Sequence, residues 1–317
     1  MPTTKRPRRG SLQFYPRERA SKVLPSVNWD PISSEKEGLL GFIAYKVGMA
    51  SAMVKDLTDK SMTLGRRIVM PVTILEVPKM KILSVRFYKY KKPVKEVIVS
   101  GDKELKRKLK IPKAIKGLEE IPQDYDDIRI IVYSLPNQTS IKKTPDIIEI
   151  AIQSKNKLEF VKNLMSKEIS YEDFIINHPL LDTRALTKGK GMQGPVKRFG
   201  ITLRHHKSEK GVRKVGSIAP WHPARVTFRT PMAGQLGLFT RINYNNKVIS
   251  FGSINEKDIN PKAGFKHYGR IKTSFIILKG SVQGPAKRQV LLTPSFRPTK
   301  MQSKRKYELI ELINKTK

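Results

Sequence analysis

Cysteine is absent from the 317 residues. That absence excludes a disulfide framework, a thiolate nucleophile and any Cys-based zinc or iron–sulfur site. It fits a reducing compartment and, with the abundant Lys and Ile, also a thermophile. Acidic residues are scarce, 27 Asp and Glu against 63 Lys and Arg, for a formal net charge of +36. Long apolar runs are missing too. Leu39-Leu40-Gly41-Phe42-Ile43-Ala44-Tyr45 ends at Lys46, far short of the roughly 18 residues a membrane helix needs. The basic start (Lys5, Arg6, Arg8, Arg9) has no apolar run behind it, so no signal peptide is expected. No juxtamembrane cluster or long amphipathic helix points to a membrane surface.

What is present is positive charge along most of the chain. A small domain usually carries a net charge of magnitude about 2–8. Self-repulsion on the present scale asks for a polyanion, and nucleic acid is the densest in a cell. The length suggests roughly two domains, at about 100–200 residues each. A hydrophobic content of 38% is enough for a core.

Residues 1–36 read as a basic arm, in which Pro2, Pro7, Pro16, Pro25 and Pro31 break any helix. Phe14, Tyr15 and Trp29 are interleaved with its charges. Such a segment cannot fold alone and takes its order from a partner. Segments 41–46, 70–77, 81–88 and 94–99 read as short strands of a barrel or sandwich over 37–100, resumed in 183–300. Residues 101–182 read as an α/β insertion, with strands at 128–133 and 147–152. Leu158, Val161, Leu164 and Met165 mark a helix between them and the next strand. Most of the acids fall there, among them Glu119, Glu120, Asp124, Asp126 and Asp127, so this part is expected to face solvent or other proteins. The segment 306–313, within 301–317, is expected to form a short docked C-terminal helix. The fold class is therefore mainly β with an α/β insertion and long basic extensions.

Residues 188–252 contain a basic finger. Between positions 188 and 229 stand Lys188, Lys190, Lys197, Arg198, Arg204, Lys207, Lys210, Arg213, Lys214, Arg225 and Arg229, with Glu209 the only acid. No apolar periodicity accompanies them, so the segment does not fold on its own core. At about 3.3 Å per residue, an extended arm of about 20 residues reaches about 60–70 Å. Within it, Ala219-Pro220-Trp221-His222-Pro223-Ala224-Arg225 sets a tryptophan between two prolines. Trp221 could stack on an unpaired base while Arg and Lys hold phosphates, or it could plug the protein's own surface. An echo links Gln193-Gly194-Pro195-Val196-Lys197-Arg198 to Gln283-Gly284-Pro285-Ala286-Lys287-Arg288, five of six positions being identical. It reads either as two phosphate-contacting turns at strand ends or as two basic β-turns.

Candidates for chemistry are weaker. Nothing matches a phosphate-binding Gly-x-x-x-x-Gly-Lys-Ser/Thr loop. His205-His206 and His222 lack accompanying carboxylates, so no metal site is expected; His178 and His267 read as structural. Asp124, Asp126 and Asp127 read as a solvated acidic turn, and no catalytic residue is assigned. The sequons at Asn137-Gln138-Thr139 and Asn314-Lys315-Thr316 are irrelevant in a Cys-free cytoplasmic chain. No cofactor and no small-molecule substrate are expected.

The ordered set of motifs resembles the ribosomal protein L3 family of the large subunit, in its archaeal or eukaryotic form. It runs from Pro7-Arg8-Arg9-Gly10 and Pro16-Arg17-Glu18-Arg19 through Gly41-Phe42-Ile43-Ala44-Tyr45-Lys46-Val47-Gly48-Met49 to Thr187-Lys188-Gly189-Lys190-Gly191. It continues at Gly211-Val212-Arg213-Lys214, the Trp221 segment, Ala233-Gly234-Gln235-Leu236-Gly237, Ile259-Asn260-Pro261-Lys262-Ala263-Gly264-Phe265 and His267-Tyr268-Gly269. The resemblance implies a six-stranded barrel of the translation-protein type with two extensions entering rRNA. It also implies neighbouring ribosomal proteins as partners, and a finger tip directed toward the peptidyl-transferase centre. The candidate RNA-binding residues, read from the charges and motifs themselves, are Arg8, Arg9, Arg17, Arg19, Trp221, His222, Lys287 and Arg288, with the finger cations above. Glu209 stands where eukaryotic members carry a His that is methylated, so that modification does not carry over. The shorter chain without a Lys-rich tail suits a non-halophilic archaeal source. An RNA-modifying enzyme and a DNA-compacting protein are the alternative classes. The leading reading rests on arm and finger having no shape of their own and taking one from folded RNA.

Overall fold

The computed structural model describes residues 7–112, 115, 117–119, 121–122, 124–139, 141–165 and 167–313. Lys5, Arg6, Glu120 and the Asn314-Lys315-Thr316 sequon lie outside them. Two compact units result, one of residues 1–21 with 186–240 and one of residues 22–185 with 241–317. The second is the body.

In chain order the elements are β1 (Gly38–Leu39), β2 (Phe42–Asp56), β3 (Arg67–Val77), β4 (Met80–Lys89), β5 (Lys92–Ile98), β6 (Asp127–Ser134) and β7 (Ile147–Gln153). There follow α1 (Lys157–Leu164), α2 (Glu172–Asn177), β8 (Leu180–Leu186), β9 (Met192–Gln193), α3 (Pro195–Phe199), β10 (Gly234–Gln235) and β11 (Thr240–Ser253). Last come β12 (Ser274–Lys279), β13 (Gln289–Pro294), α4 (Lys300–Lys304) and β14 (Tyr307–Ile313). The chain is mainly β, as expected. Six strands pair in a ring, β2-β3-β12-β11-β8-β13 and back to β2, and β14 adds to the outside edge of β2. A separate sheet has the order β1-β7-β6-β4-β5.

The period-2 rule divides strand β12 between two cores. On β12, Phe275 and Ile277 pack with Val47, Val72 and Ile74, while Ile276 and Leu278 pack with Phe42, Leu75 and Leu291. The second set is continuous with Ile82, Val85, Phe87, Ile130, Val132 and Ile150 of the five-stranded sheet, which closes the core. A buried polar bridge runs through that layer. Tyr45 donates to Asp146 at 2.6 Å and shares a 2.7 Å hydrogen bond with Ser134. Burial and then the Asp146 charge push the Tyr45 hydroxyl well above its ordinary pKa. Glu76, fully buried, accepts from Lys272 N, Thr273 N and Thr273 Oγ1 at 2.9–3.1 Å, and from the Tyr268 hydroxyl. Both oxygens of that carboxylate have donors, three on Oε1 and the Tyr268 hydroxyl on Oε2, which is what lets it stay inside.

Four expectations about boundaries change. The C-terminal helix is instead β14, paired antiparallel with β2 from Tyr307↔Asp56 to Ile313↔Ser51. Tyr307, Leu309 and Leu312 reach the ring core, and the register shift between Leu309 and Glu311 explains why alternation was hidden in the sequence. The basic arm does not extend to residue 36: Leu24, Trp29 and Ile32 are buried in the body. Trp29 supplied an apolar anchor that local composition could not weigh. Strands β4 and β5 belong not with the ring but with β6 and β7 of the insertion, since periodicity reports which face is buried and not which sheet. Finally, residues 241–252 are ring strand rather than finger.

The acids of the insertion are mostly engaged. Arg86 bridges Glu96 at 2.7 Å and Glu149 at 2.8 Å; Arg129 reaches Glu149, Asp127 and Asp30 at 3.0–3.3 Å. Asp124 meets Lys89, and Asp126 accepts from Tyr90 N at 2.8 Å. The acidic turn is thus an ion-paired corner of the sheet.

Candidate nucleic-acid interface

The unit of residues 1–21 and 186–240 holds seventeen Lys and Arg against two acids, Glu18 and Glu209. Among its described residues, no carboxylate lies within 4 Å of any of these cations. Leu186 and Phe199 are its buried apolar side chains among those described. Backbone closure does the work a core does elsewhere. Strand β9 pairs with β10, Lys190 N donates to Leu236 O and Leu236 N to Gly191 O, both at 2.9 Å, and Thr187 N donates to Phe239 O at 3.0 Å. Gly237 makes the crossing possible. Its φ is +79°, and a Cβ there would sit 2.1 Å from Lys188 O.

Arm and finger, expected as separate extensions, meet within this unit. Ala20 N donates to Leu238 O at 2.9 Å. The Arg17 guanidinium lies 4.4 Å from the Phe199 ring centre, Tyr15 meets Phe228 edge-on at 5.5 Å, and Arg8 Nη2 donates to Arg229 O at 2.5 Å. Arg198 braces the same base, donating from Nε to Gln235 O at 3.0 Å and from Nη1 to Met232 O at 2.9 Å. Burial and then neighbouring Arg17 lower its pKa from the ordinary guanidinium value.

The sequence candidates therefore separate. Arg8, Arg9, Arg19, Lys188, Lys190, Lys197, Arg204, Lys207, Lys210, Arg213, Lys214, His222, Arg225 and Arg229 are exposed. Trp221 is 87% exposed and touches His222 edge-on, so it does not plug the protein's own surface. Arg17 and Arg198 are half-buried and hold protein. Two open hollows line the finger. One, of about 720 Å³, sets Ile218, Pro220, Val226 and Phe228 beside Arg8, Arg225 and Arg229. The other, of about 320 Å³, gathers Arg8, Arg9, Arg204 and Lys214. Phe228 and Ile218 were missed as candidates because the segment has no apolar period from which to single them out. The His205 and His206 rings stack 4.2 Å apart, and His205 Nδ1 accepts from Lys207 N. No trio of His, Cys, Asp or Glu fit for a metal occurs among the described residues.

The two echo copies adopt different structures. The first opens α3, a single helical turn with Pro195 at its start and Gly200 in the left-handed region after it. The second is a tight turn before β13 in the body, where Lys287 is exposed at φ +67° and Arg288 is half-buried. Gln283 Nε2 donates to Thr183 O and Arg241 O at 2.7 Å each. Lys46, whose Nζ donates to Val282 O at 2.5 Å and Gly284 O at 3.0 Å, pins the same turn from below. Its sequence signal was a lone cation inside an apolar run. Shared residues thus serve different backbone geometries, so the identity of the copies does not make them equivalent sites.

The profile of the family described as Ribosomal protein L3 matches residues 1–316. The chain is 42% identical over 307 residues to a protein of Methanococcus aeolicus named large ribosomal subunit protein uL3, covering 92% of each chain. It is 40% identical over 310 residues to the protein of that name from Methanocaldococcus jannaschii, again 92% of each. The one from Pyrobaculum calidifontis is 40% identical over 316 residues and 93% of each. With a family match across residues 1–316 and relatives about 40% identical over more than nine-tenths of each chain, the chain belongs to the ribosomal protein L3 family.

Proposed function

We propose that this protein is a structural constituent of the large ribosomal subunit, binding rRNA mainly through residues 1–21 and 186–240 and catalysing no reaction itself. The observation that carries the reading is the contrast within that unit: seventeen cations, two acids, and an indole 87% exposed. The names of the archaeal relatives support the subunit. In this reading the ring of six strands is a barrel of the translation-protein type that supplies a rigid mount. Arg213, Lys214 and Arg225 hold phosphates near the tip, and Trp221 stacks on an unpaired base. Lys287 and Arg288 add a contact from the body. The finger tip points toward the peptidyl-transferase centre, and neighbouring large-subunit proteins pack on the cytoplasmic, ribosome-bound assembly.

The test is binding of the full chain to large-subunit rRNA and to duplex DNA across a salt series, with co-sedimentation on the large subunit through a high-salt gradient. Neutralising about six to ten phosphates lowers affinity about 10³–10⁵-fold between about 50 and 200 mM salt. The protein should remain with the subunit and prefer rRNA. Equal binding to duplex DNA, or loss from the particle at moderate salt, overturns the reading.

A further inference from the structure

A third basic hollow lies in the body, outside the arm, the finger and the echo turns. It has a volume of about 240 Å³ and is lined by Asn243, Lys247, Lys279, Ser281, Gln302 and Arg305 among others. Its wall is fixed by buried hydrogen bonds. Asn246, 5% exposed, donates from Nδ2 to Asn243 O at 2.9 Å and to Leu181 O at 3.3 Å. Asn243 Nδ2 donates to Ser281 O at 2.9 Å, tying the start of β11 to the chain after β12. Lys279 Nζ is steadied by the Tyr307 hydroxyl at 3.0 Å and lies 4.7 Å from its ring centre.

The three cations are half-buried, and among the described residues none has a carboxylate within 4 Å. Burial, then the charge of Lys306, lowers the Lys247 pKa from its ordinary value. In the body's other sheet, arginines of comparable burial meet Glu and Asp. Here three cations without a carboxylate partner line a preformed polar hollow, and an arriving anion supplies the countercharge. The lining is mostly amide, hydroxyl and cation, with Tyr244 its one aromatic side chain.

We propose that this hollow is a phosphodiester site: Lys247, Lys279 and Arg305 receive a backbone phosphate of rRNA, and the Asn243 and Ser281 side chains border it. Such a phosphate contact positions the body on RNA and by itself carries no base specificity. It deepens the proposed rRNA binding and rests on that reading.

The experiment uses the full chain and a large-subunit rRNA transcript. Lys247→Gln, Arg305→Gln and the double variant are compared with wild type in plots of log affinity against log salt. Each single change should lower the slope, and the double should remove about 0.7–0.9, the share of one phosphate, on every rRNA sequence tried. The unfolding midpoint of the free Lys247→Gln protein should hold or rise, because the substitution removes a repelled charge. Unchanged slopes in folded variants overturn the site. Slopes lost together with free-protein stability overturn it as well, assigning the residues to the fold. If wild type itself shows no salt-dependent rRNA binding, the failure lies with the proposed function, which separates the two ideas.

Discussion

The body and the finger unit solve the same problem by opposite means. In the body, Phe42, Phe275, Ile74 and Leu75 are fully buried, and some of its charges are paired, as Arg86 is with Glu149. Among the described residues of 1–21 and 186–240, two apolar side chains are buried, while Phe14, Met192, Trp221 and Phe228 are more than half exposed. The body thus derives its order from apolar burial, which removes area from water at about 25 cal/mol per Å². The finger unit has little such area, and its order rests on backbone clasps and a few stacked arginines. Its uncompensated charge is a cost in isolation and an advantage beside a polyanion.

The sharpest way to break the comparison is to delete an aromatic from each side. Phe275→Ala should destabilise the free protein by about 3–5 kcal/mol, since it leaves a cavity in a closed core. Trp221→Ala should change it by less than about 0.5 kcal/mol. Denaturant unfolding of both variants decides the matter. Comparable losses mean that the finger shares the body's core energetics. In assembled subunits the order reverses: Trp221→Ala should perturb aminoacyl-tRNA accommodation more than particle assembly.

A pH series probes the body alone. His178 packs edge-on against Phe174 at 5.2 Å, and burial, with Lys36 nearby, lowers its pKa to about 4 from 6.5. The fold favours the neutral ring, so its contribution is fully present above about pH 6.5 and is lost as pH falls toward about 4. In that window the unfolded chain binds a proton the folded one refuses, which costs stability at about 1.4 kcal/mol per pH unit at most. His178→Gln should flatten the difference curve between pH 6.5 and 4, as read from unfolding midpoints of the two proteins. A parallel pair of curves refutes the assignment.

A glycine tests the finger's clasp. Gly237→Ala places a methyl group into Lys188 O at a left-handed backbone position, where an L side chain costs about 1–2 kcal/mol before any clash. Amide exchange at Lys190, Leu236 and Phe239 should accelerate about tenfold or more, with protection of Ile276 and Leu278 unchanged. Body amides that loosen in step would show that the two regions do not open separately.

What the sequence revealed divides along the same line. Strands with an apolar face, such as those at 70–77 and 147–152, were legible because alternation is a local consequence of burial. So was the finger's charge, because composition needs no geometry. Trp29 was not legible as core, since its partners stand far along the chain: its ring lies against the Gly41 position and among Ile150 and its neighbours. The strand at 307–313 was masked by its bulge. In the finger, composition could mark Arg198 and Arg225 as cations but could not tell brace from ligand. That distinction depends on carbonyls some 34 to 37 residues away.

The smallest expected effect isolates that last distinction. Arg225→Gln alters an exposed side chain, so free-protein stability should stay within about 0.5 kcal/mol while the rRNA salt slope falls by about 0.7–0.9. Arg198→Gln removes charged donors from Gln235 O and Met232 O, where hydrogen bonds are worth about 1.5–3 kcal/mol when buried and less at this partly open site. Its main effect should be faster amide exchange around β9 and β10, with any change in RNA affinity following from the loosened clasp. The two variants lose the same formal charge. If charge alone governed this unit they would behave alike, and matching salt slopes with matching exchange rates would demonstrate it. A divergence shows that even a segment this rich in cations sets aside some of them to hold its own backbone.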